Sequence, residues 1–308
     1  MNFEKKIEVR NATKMYGKFV AVNDASFTLE GNGATAYLGP NGAGKTTSFK
    51  MMTGLINPTK GNILIGGYDI RKHRKAALSG IGALIETPEP YASLSVKESI
   101  MFIGELKGIK TRDVEEHIET FGKRVQIPDI DSKVGNLSRG QRARVVFTSA
   151  FLGDPGIIFL DEPTNGMDPA ERIIVRDIIL EWKKDHLIFM SSHLLQEVTE
   201  TCDDIIFINR GKITLNEKTS EVERRYKSRS VRVEFSTEIS VDKLKSAVGK
   251  ISTDVQKDSP KLFRIGFDGA VENRVSLLKL CQSVADVVAF QDYGSSLEEA
   301  FVSLIKNE

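Results

Sequence analysis

The sequence predicts an α/β fold, and two observations support this prediction. Short apolar runs suited to buried central strands alternate with segments of helical periodicity; the runs lie at residues 34–38, 156–160 and 187–190. The first run leads directly into a glycine-rich loop, and residues 48–55 after the loop have the pattern of a helix. Strands that alternate with helices form sheets with parallel strands at their centre, so we expect one such domain in the N-terminal part of the chain.

The glycine-rich loop, residues 39–47, reads Gly-Pro-Asn-Gly-Ala-Gly-Lys-Thr-Thr and fits the pattern G-x-x-x-x-G-K-[ST]. Glycines let the backbone curl tightly, so that successive N–H groups and the start of the following helix point at an anion. A strand, this loop and a helix in that order predict the phosphate-binding loop of a P-loop NTPase, and alone they indicate nucleotide binding and no more. We predict that Lys45 reaches the β- and γ-phosphates and that the Thr46 hydroxyl binds Mg²⁺. The other predicted phosphate contacts are Asn41, Gly42, Gly44 and Thr47.

Composition limits the possible functions. The chain of 308 residues carries 43 Lys and Arg against 42 Asp and Glu, so no overall charge favours nucleic acid as a partner. No apolar run approaches the ~18 residues of a membrane-spanning helix, and the first residues lack the apolar core of a signal peptide. The two cysteines form no CxxC pair, and the four histidines have no zinc spacing. We therefore expect a cytoplasmic protein without zinc.

The remaining pattern predicts how the chain is divided. Ser95 and Glu98 form a capping box before a helix that Gly108 should end, and a second, charged helix is predicted at residues 112–124. These helices predict a helical subdomain, at about residues 87–155, inserted into a mixed-sheet core domain of residues 1–222. A polar linker is predicted at residues 224–229. Residues 223–308 predict a small C-terminal α/β domain that ends in a helix at 297–306.

The run at residues 156–160 ends in two carboxylates, Asp161 and Glu162. A strand that ends in this way can deliver Asp161 to Mg²⁺ and its water, while Glu162 polarises an attacking water. The alternative is a structural strand that ends in a polar turn, which Pro163 would also fit.

Residues 137–142 read Leu-Ser-Arg-Gly-Gln-Arg before a predicted helix. Here the chain resembles the ABC-type ATPases, whose signature usually reads LSGGQ. The resemblance implies that Ser138 and Gly140 complete the nucleotide pocket of a second protomer, although the same residues also suit an ordinary serine-capped helix. The sequence leaves open whether Arg139, which replaces the first glycine, lies near the γ-phosphate or faces solvent.

Three further positions match this family. Asp168, in Asn-Gly-Met-Asp at residues 165–168, lies where the family has its D-loop, and it is also a good helix N-cap before Pro169. His193 follows the run at 187–190 and matches the family's switch histidine. Tyr16 resembles the family's aromatic residue that stacks on adenine, with Val22 in the same site. The resemblance covers residues 7 to 217, because five motifs follow one another in the family's order.

One position departs from the family pattern. The glutamine that binds Mg²⁺ and water in this family should lie between residues 80 and 95, but this window has no glutamine and Glu86 takes its place. A carboxylate is also a good Mg²⁺ ligand, so we predict Glu86 as a third metal residue beside Thr46 and Asp161. Its negative charge would, however, lie near the triphosphate. Glu86 in this context resembles a branch of bacitracin- and lantibiotic-type exporter ATPases.

The resemblance implies a function. We expect the ATP-hydrolysing subunit of an ABC exporter, of the type-2 branch that includes bacitracin, lantibiotic and multidrug exporters. Its partners would be a separate transmembrane permease, which holds it at the inner face of the membrane, and a second ATPase subunit, identical or related. Glu162, His193 and Lys45 are the predicted catalytic residues. Two alternatives stay open: a soluble ABC-type ATPase that does not act in transport, and a regulatory module that binds ATP without turnover.

Overall fold

A computed structural model describes residues 3–86, 90–226 and 230–293. The chain forms two compact units, Met1–Thr219 and Ser220–Glu308, and each is described by itself.

The first unit contains two sheets. Its strands are β1 (Lys6–Tyr16), β2 (Phe19–Glu30), β3 (Gly33–Leu38), β4 (Lys60–Ile65), β5 (Tyr68–Asp69), β6 (Ile81–Leu84), β7 (Ile157–Asp161), β8 (Leu187–Ser192), β9 (Asp204–Asn209) and β10 (Lys212–Lys218). An antiparallel sheet has the order β2-β1-β4-β5, and a second sheet has the order β10-β9-β3-β8-β7-β6. In the second sheet all neighbours are parallel except β10 with β9. Strands β3, β8 and β7 therefore end at the same edge.

Helices connect these strands. They are α1 (Lys45–Met52), α2 (Arg74–Ser79), α3 (Val96–Lys107), α4 (Thr111–His117), α5 (Lys123–Val125), α6 (Arg139–Ala150), α7 (Pro169–Trp182) and α8 (Leu195–Thr201). The capping box of Ser95 and Glu98 begins α3, and Gly108 ends it in the left-handed conformation, as predicted. A π-helical turn, Ile118–Gly122, joins α4 to α5, so the helix predicted at 112–124 is a composite of three segments.

The core of this unit lies between the two sheets, where aromatic side chains anchor α1. Phe49 of α1 is fully buried and stacks on Phe189 of β8, with ring centroids 5.0 Å apart. Tyr37 of β3 packs against the same Phe189 ring at 5.4 Å. Each buried aromatic side chain contributes about 1.5–3 kcal/mol, so α1, and the loop that precedes it, are held firmly on the sheet.

The helices between β6 and β7 have a core of their own. Its buried residues are Val96, Ile100, Val114, Ile118, Val134, Leu137, Val145 and Leu152. Leu137 is part of this cluster and immediately precedes Ser138, the N-cap of α6. The N-terminus of α6 is therefore positioned by the packing of these helices.

The second unit is a small α/β fold. Its elements are α9 (Thr219–Tyr226), which begins at the boundary, then β11 (Ser230–Phe235), α10 (Val241–Val248), β12 (Asp254–Ser259), β13 (Leu262–Gly266), α11 (Val271–Val284) and β14 (Val287–Asp292). The antiparallel sheet has the order β12-β13-β11-β14, which is the split βαβ topology. Phe235, Leu244, Phe263 and Leu277 lie in its core.

One expectation about this region needs correction, one strand was not predicted, and one predicted helix lies outside the described residues. Helix α9 extends to Tyr226, so residues 224–226 of the predicted linker are helical; their charged sequence gave no apolar periodicity to indicate this. Strand β12 was not predicted, because Val255 is its only apolar residue. The helix predicted at 297–306 falls beyond the described ranges.

A substitution at Gly82 of β6 tests how closely α6 packs on the sheet. A Cβ atom at this position would lie 1.9 Å from the backbone oxygen of Ala150, at the end of α6. We expect Gly82→Ala to lower the free energy of unfolding in urea by about 1–3 kcal/mol, the usual cost of overpacking. Ala83→Ser, at the exposed neighbouring position, is the control and should change it by less than about 0.5 kcal/mol. Equal stability of the two variants would contradict this packing.

Candidate active site

The glycine-rich loop lies between the end of β3 and the start of α1. At two of its glycines, nearby backbone atoms leave no space for a side chain. A Cβ atom on Gly39 would lie 2.2 Å from the backbone oxygen of Ile208 in β9. Gly44, the N-cap of α1, has φ 109°, and its Cβ would lie 2.5 Å from the backbone oxygen of Ala21 in β2. Neighbouring strands therefore fix the curl of the loop, and only glycine fits at either position.

The side chain of Lys45 folds back over its own loop. Its Nζ donates hydrogen bonds to the backbone oxygens of Gly39 at 2.7 Å and Pro40 at 3.3 Å. The same atom lies 3.3 Å from Oε1 of Glu162, and Lys45 is only 6% exposed. A buried ammonium is stable only when it is paired, and these three oxygens provide the pairing.

Glu162 follows β7 and connects the loop to the end of β8. Its backbone has φ 51°, and its N–H donates to Oγ of Ser191 at 3.0 Å. The carboxylate lies between Lys45 and His193, whose Nδ1 is 2.6 Å from Oε2 of Glu162. The structure thus brings together the three predicted catalytic side chains at the common edge of β3, β8 and β7.

Asp161, the last residue of β7, is 3% exposed and its carboxylate is hydrogen-bonded on both sides. The Ser191 hydroxyl donates to Oδ1, and the backbone N–H of Glu86 lies 3.4 Å from Oδ2. The second contact is long, so Oδ2 keeps capacity to accept another partner.

Glu86 contacts Asp161 through its backbone N–H, and its backbone has φ 59°. Its carboxylate has a different partner. Its carboxylate oxygen Oε1 is 2.6 Å from Nζ of Lys50, in the last turn of α1. Lys50 therefore balances the negative charge that the sequence places here. The part of Glu86 as a metal ligand stays a prediction.

A cleft of about 580 Å³ opens over the loop, a volume typical of small-molecule sites. Its lining residues come from β2, the glycine-rich loop, α1 and the segments after β7 and β8: Phe19, Ala21, Pro40, Asn41, Gly42, Gly44, Lys45, Thr46, Thr47, Glu162, Asn165 and His193. All of the predicted phosphate contacts are among them. Phe19, Ala21, Pro40 and Asn165 were not among the predicted site residues.

The predicted base-stacking residue, Tyr16, is not among the lining residues but is paired with one of them. Tyr16 is 49% exposed at the end of β1, with Nζ of Lys14 5.1 Å from its ring centroid. It pairs across the hairpin with Phe19, which is 65% exposed and lines the cleft. Val22 is buried and packs beneath Gly44, whereas Ala21 lines the cleft. Side chains alternate along a strand, so the side chains of residues 19 and 21 lie on the same face of β2. This period of two is the sequence signal from which both residues could have been predicted as part of the site.

The residues predicted from the family's signature and D-loop lie elsewhere. Ser138 is the N-cap of α6 and Asp168 is the N-cap of α7, each in a complete capping box. Neither these two residues nor Gly140 belongs to the lining of the cleft, as far as the described part of the chain shows.

The loop geometry fits a phosphate group. A Cβ atom on Gly42 would meet open space, so the loop presents exposed backbone toward the cleft beside Thr46. Within residues 3–86, 90–226 and 230–293 no group of three or more His, Cys, Asp or Glu side chains is arranged to hold a metal ion. Thr46 and Asp161 suit Mg²⁺, which proteins usually bind through one or two side chains together with substrate phosphates. No helix in the described ranges is both long and apolar enough to cross a membrane.

Comparison with known proteins assigns the family. Residues 22–165 match the family described as ABC transporter. "Uncharacterized ABC transporter ATP-binding protein YhcH" of Bacillus subtilis (strain 168) is 38% identical over 210 residues, which are 67% of this chain and 68% of that protein. "Bacitracin transport ATP-binding protein BcrA" of Bacillus licheniformis is 35% identical over 210 residues, with the same two coverages. The chain belongs to the ABC transporter family and is one of its ATP-binding ATPases.

The fold is confirmed by a solved structure. "Structure of ATP binding subunit of ABC transporter" is similar with a TM-score of 0.67 and 25% sequence identity. The similarity covers 71% of this chain and 92% of that one. The predicted fold class, an ABC-type P-loop domain with sheets and a helical subdomain, is therefore correct.

The two aromatic residues of the hairpin can be told apart by ATP binding. Because Phe19 lines the cleft, we expect Phe19→Ala to weaken ATP binding by about 1–3 kcal/mol, the usual value of a base stacked on an aromatic ring. Tyr16→Ala is the matched variant, and both are measured by equilibrium titration with a fluorescent ATP analogue. A loss confined to Tyr16→Ala would show that the base lies on the Tyr16 side of the hairpin.

Proposed function

We propose that this chain hydrolyses ATP to drive a separate transmembrane permease, as one of two ATPase subunits of an exporter. The observation that supports this most strongly is the position of the Glu162 carboxylate, held between Lys45 and His193 over the glycine-rich loop. This arrangement places a basic oxygen beside the groups that would bind the phosphates. It is suited to activating a water molecule for attack on a terminal phosphate.

Binding would begin with an exchange of partners at Lys45. Its ammonium group is already buried and is shared between two backbone oxygens and Glu162. A triphosphate in the cleft would replace these partners with stronger, charged ones, while the N–H groups of residues 42–47 bind the phosphate oxygens. Thr46 and Asp161 would hold Mg²⁺, which neutralises charge on the phosphates.

Release of Lys45 from Glu162 would leave that carboxylate free to act as a general base. General-base catalysis typically accelerates a reaction by about 10²–10⁴-fold. His193 keeps Glu162 oriented through its short hydrogen bond and lines the cleft where the terminal phosphate would lie. Both residues follow buried parallel strands, so their backbone is held firmly in place.

A second subunit would complete the site. In this proposal Ser138, Gly140 and Asp168 of one protomer cover the nucleotide bound by its partner, head to tail. Ser138 places the first N–H groups of α6 at the surface, and helix N-termini bind anions. ATP held by both protomers favours the closed pair, and hydrolysis removes that preference.

Glu162→Gln tests the catalytic assignment. The amide keeps the shape of the side chain but cannot accept a proton, so turnover should fall at least about 10²-fold while ATP still binds. We expect this variant to sediment as a dimer with ATP and Mg²⁺ and as a monomer without ATP. Steady-state phosphate release and analytical ultracentrifugation measure the two effects.

The control for this variant is Glu30→Gln, at an exposed position at the end of β2 away from the cleft. It should hydrolyse ATP at the wild-type rate. Undiminished turnover in Glu162→Gln would remove Glu162 from the mechanism.

The transport assignment has its own test. The tagged chain, expressed from its native chromosome and extracted from membranes in mild detergent, should co-purify with a protein that has several hydrophobic spans of about 20 residues each. In inside-out vesicles that contain both proteins, ATP should drive substrate into the vesicles, which is the direction of export. Recovery of the chain in the soluble fraction, with full ATPase activity and no such partner, would favour a soluble ATPase instead.

A further inference from the structure

The two segments that the proposed function places against a second protomer begin successive helices. The signature segment, residues 137–142, leads into α6, and the D-loop segment, residues 165–168, leads into α7. One side chain, that of Glu171, contacts both segments.

Within α7, Glu171 holds the end of the D-loop segment. Its Oε2 accepts a hydrogen bond from the backbone N–H of Asp168 at 3.1 Å, and Oδ1 of Asp168 accepts one from the N–H of Glu171 at 2.9 Å. These reciprocal bonds fix the backbone of Asp168 relative to the first turn of α7.

The same carboxylate lies against the signature segment. A Cβ atom on Gly140 would be 2.8 Å from Oε2 and 3.2 Å from Oε1 of Glu171. The single chain therefore requires glycine at position 140, because any side chain there would displace the Glu171 carboxylate.

An arginine of α6 holds Glu171 in this position. Nη2 of Arg144, one turn after Gly140, lies 3.3 Å from Oε1 of Glu171, and the two side chains are only 15% and 16% exposed. Nη1 of Arg144 also donates to the backbone oxygen of Gln126 at 2.7 Å. Removal of one partner from a partly buried ion pair leaves a charge without its counterpart, so the pair favours this arrangement.

A second contact joins the same two segments. A Cβ atom on Gly166, which has φ 83°, would lie 2.8 Å from Nε of Arg139. The side chain of Arg139 thus lies on the D-loop segment of its own chain.

We propose that Glu171 is the positioning residue that fixes the signature and D-loop segments relative to each other, so that the surface offered to a second copy of the chain is assembled before that copy binds. This inference rests on the two-subunit site proposed above. Glu171 is not among the residues that line the cleft of its own chain. Its loss should therefore weaken association of the subunits but leave ATP binding by the single subunit intact.

The test combines Glu171→Gln with Glu162→Gln, so that hydrolysis does not obscure association. The glutamine keeps the shape of Glu171 but removes the charge that pairs with Arg144. Two constants are measured: the affinity of the monomer for a fluorescent ATP analogue at low protein concentration, and the dimer dissociation constant with saturating ATP and Mg²⁺. We expect the dimer constant to weaken by about tenfold or more and the nucleotide affinity to stay within about twofold.

Arg144→Met provides a second variant in case the first is poorly folded. Arg144 and Glu171 act as one pair in this account, so the double variant should weaken the dimer little more than either single one. Additive losses would contradict the pairing.

Glu181→Gln is the matched control. Glu181 lies on the same helix α7 and forms a two-point ion pair with Arg124 of α5, at 3.0 and 2.6 Å. It is ten residues, or ~15 Å of helix, away from Glu171. Loss of this pair should leave the dimer constant unchanged.

Each other outcome overturns the proposal. If Glu171→Gln dimerises like its parent, Glu171 does not position the interface. If nucleotide affinity falls as much as dimer stability, the substitution damages the fold or the cleft instead. If the Glu162→Gln parent itself does not dimerise with ATP, the two-subunit site fails and this inference fails with it.

Discussion

The carboxylate of Glu162 lies between the Lys45 ammonium and the His193 imidazole, and the remaining site geometry depends on this contact. The three residues belong to separate stretches of sequence but follow adjacent parallel strands, whose ends meet at one edge of the sheet. The aromatic packing of Phe49 on Phe189 holds α1 against that sheet. The buried aromatic core thus helps to hold the Lys45 ammonium 3.3 Å from Oε1 of Glu162.

The close approach of β2 and β9 to the glycine-rich loop adds a second constraint. The backbone oxygens of Ala21 and Ile208 occupy the space that side chains at Gly44 and Gly39 would need. The N–H of Gly211, in the turn after β9, donates to the oxygen of Ala43 at 2.9 Å. Because both sheets touch the loop, its shape is set before any nucleotide arrives, and little ordering remains to be done on binding.

The sequence predicts well whatever depends on local chemistry. The loop, the strand that ends in Asp161 and Glu162, and the helix caps at Ser95, Ser138 and Asp168 all follow from short patterns, and the structure has them. Contacts between distant segments leave no such pattern. The pairing of Lys50 with Glu86 and the packing of Glu171 on Gly140 both join parts of the chain that only the fold brings together. The sequence therefore identifies individual site residues but not the residues that hold them.

In the function proposed above, each cleft is one half of a site, completed by a second copy of the chain or a close relative. The cleft holds Lys45, Glu162 and His193, while Ser138 and Gly140 lie with Glu171 at the starts of α6 and α7. The most direct measurement is the ATPase rate per subunit of the purified chain across a wide range of protein concentration. If two subunits make the site, this rate should rise with concentration and then level off. A rate per subunit that stays constant down to the lowest concentrations, where the protein sediments as a monomer, would contradict the claim.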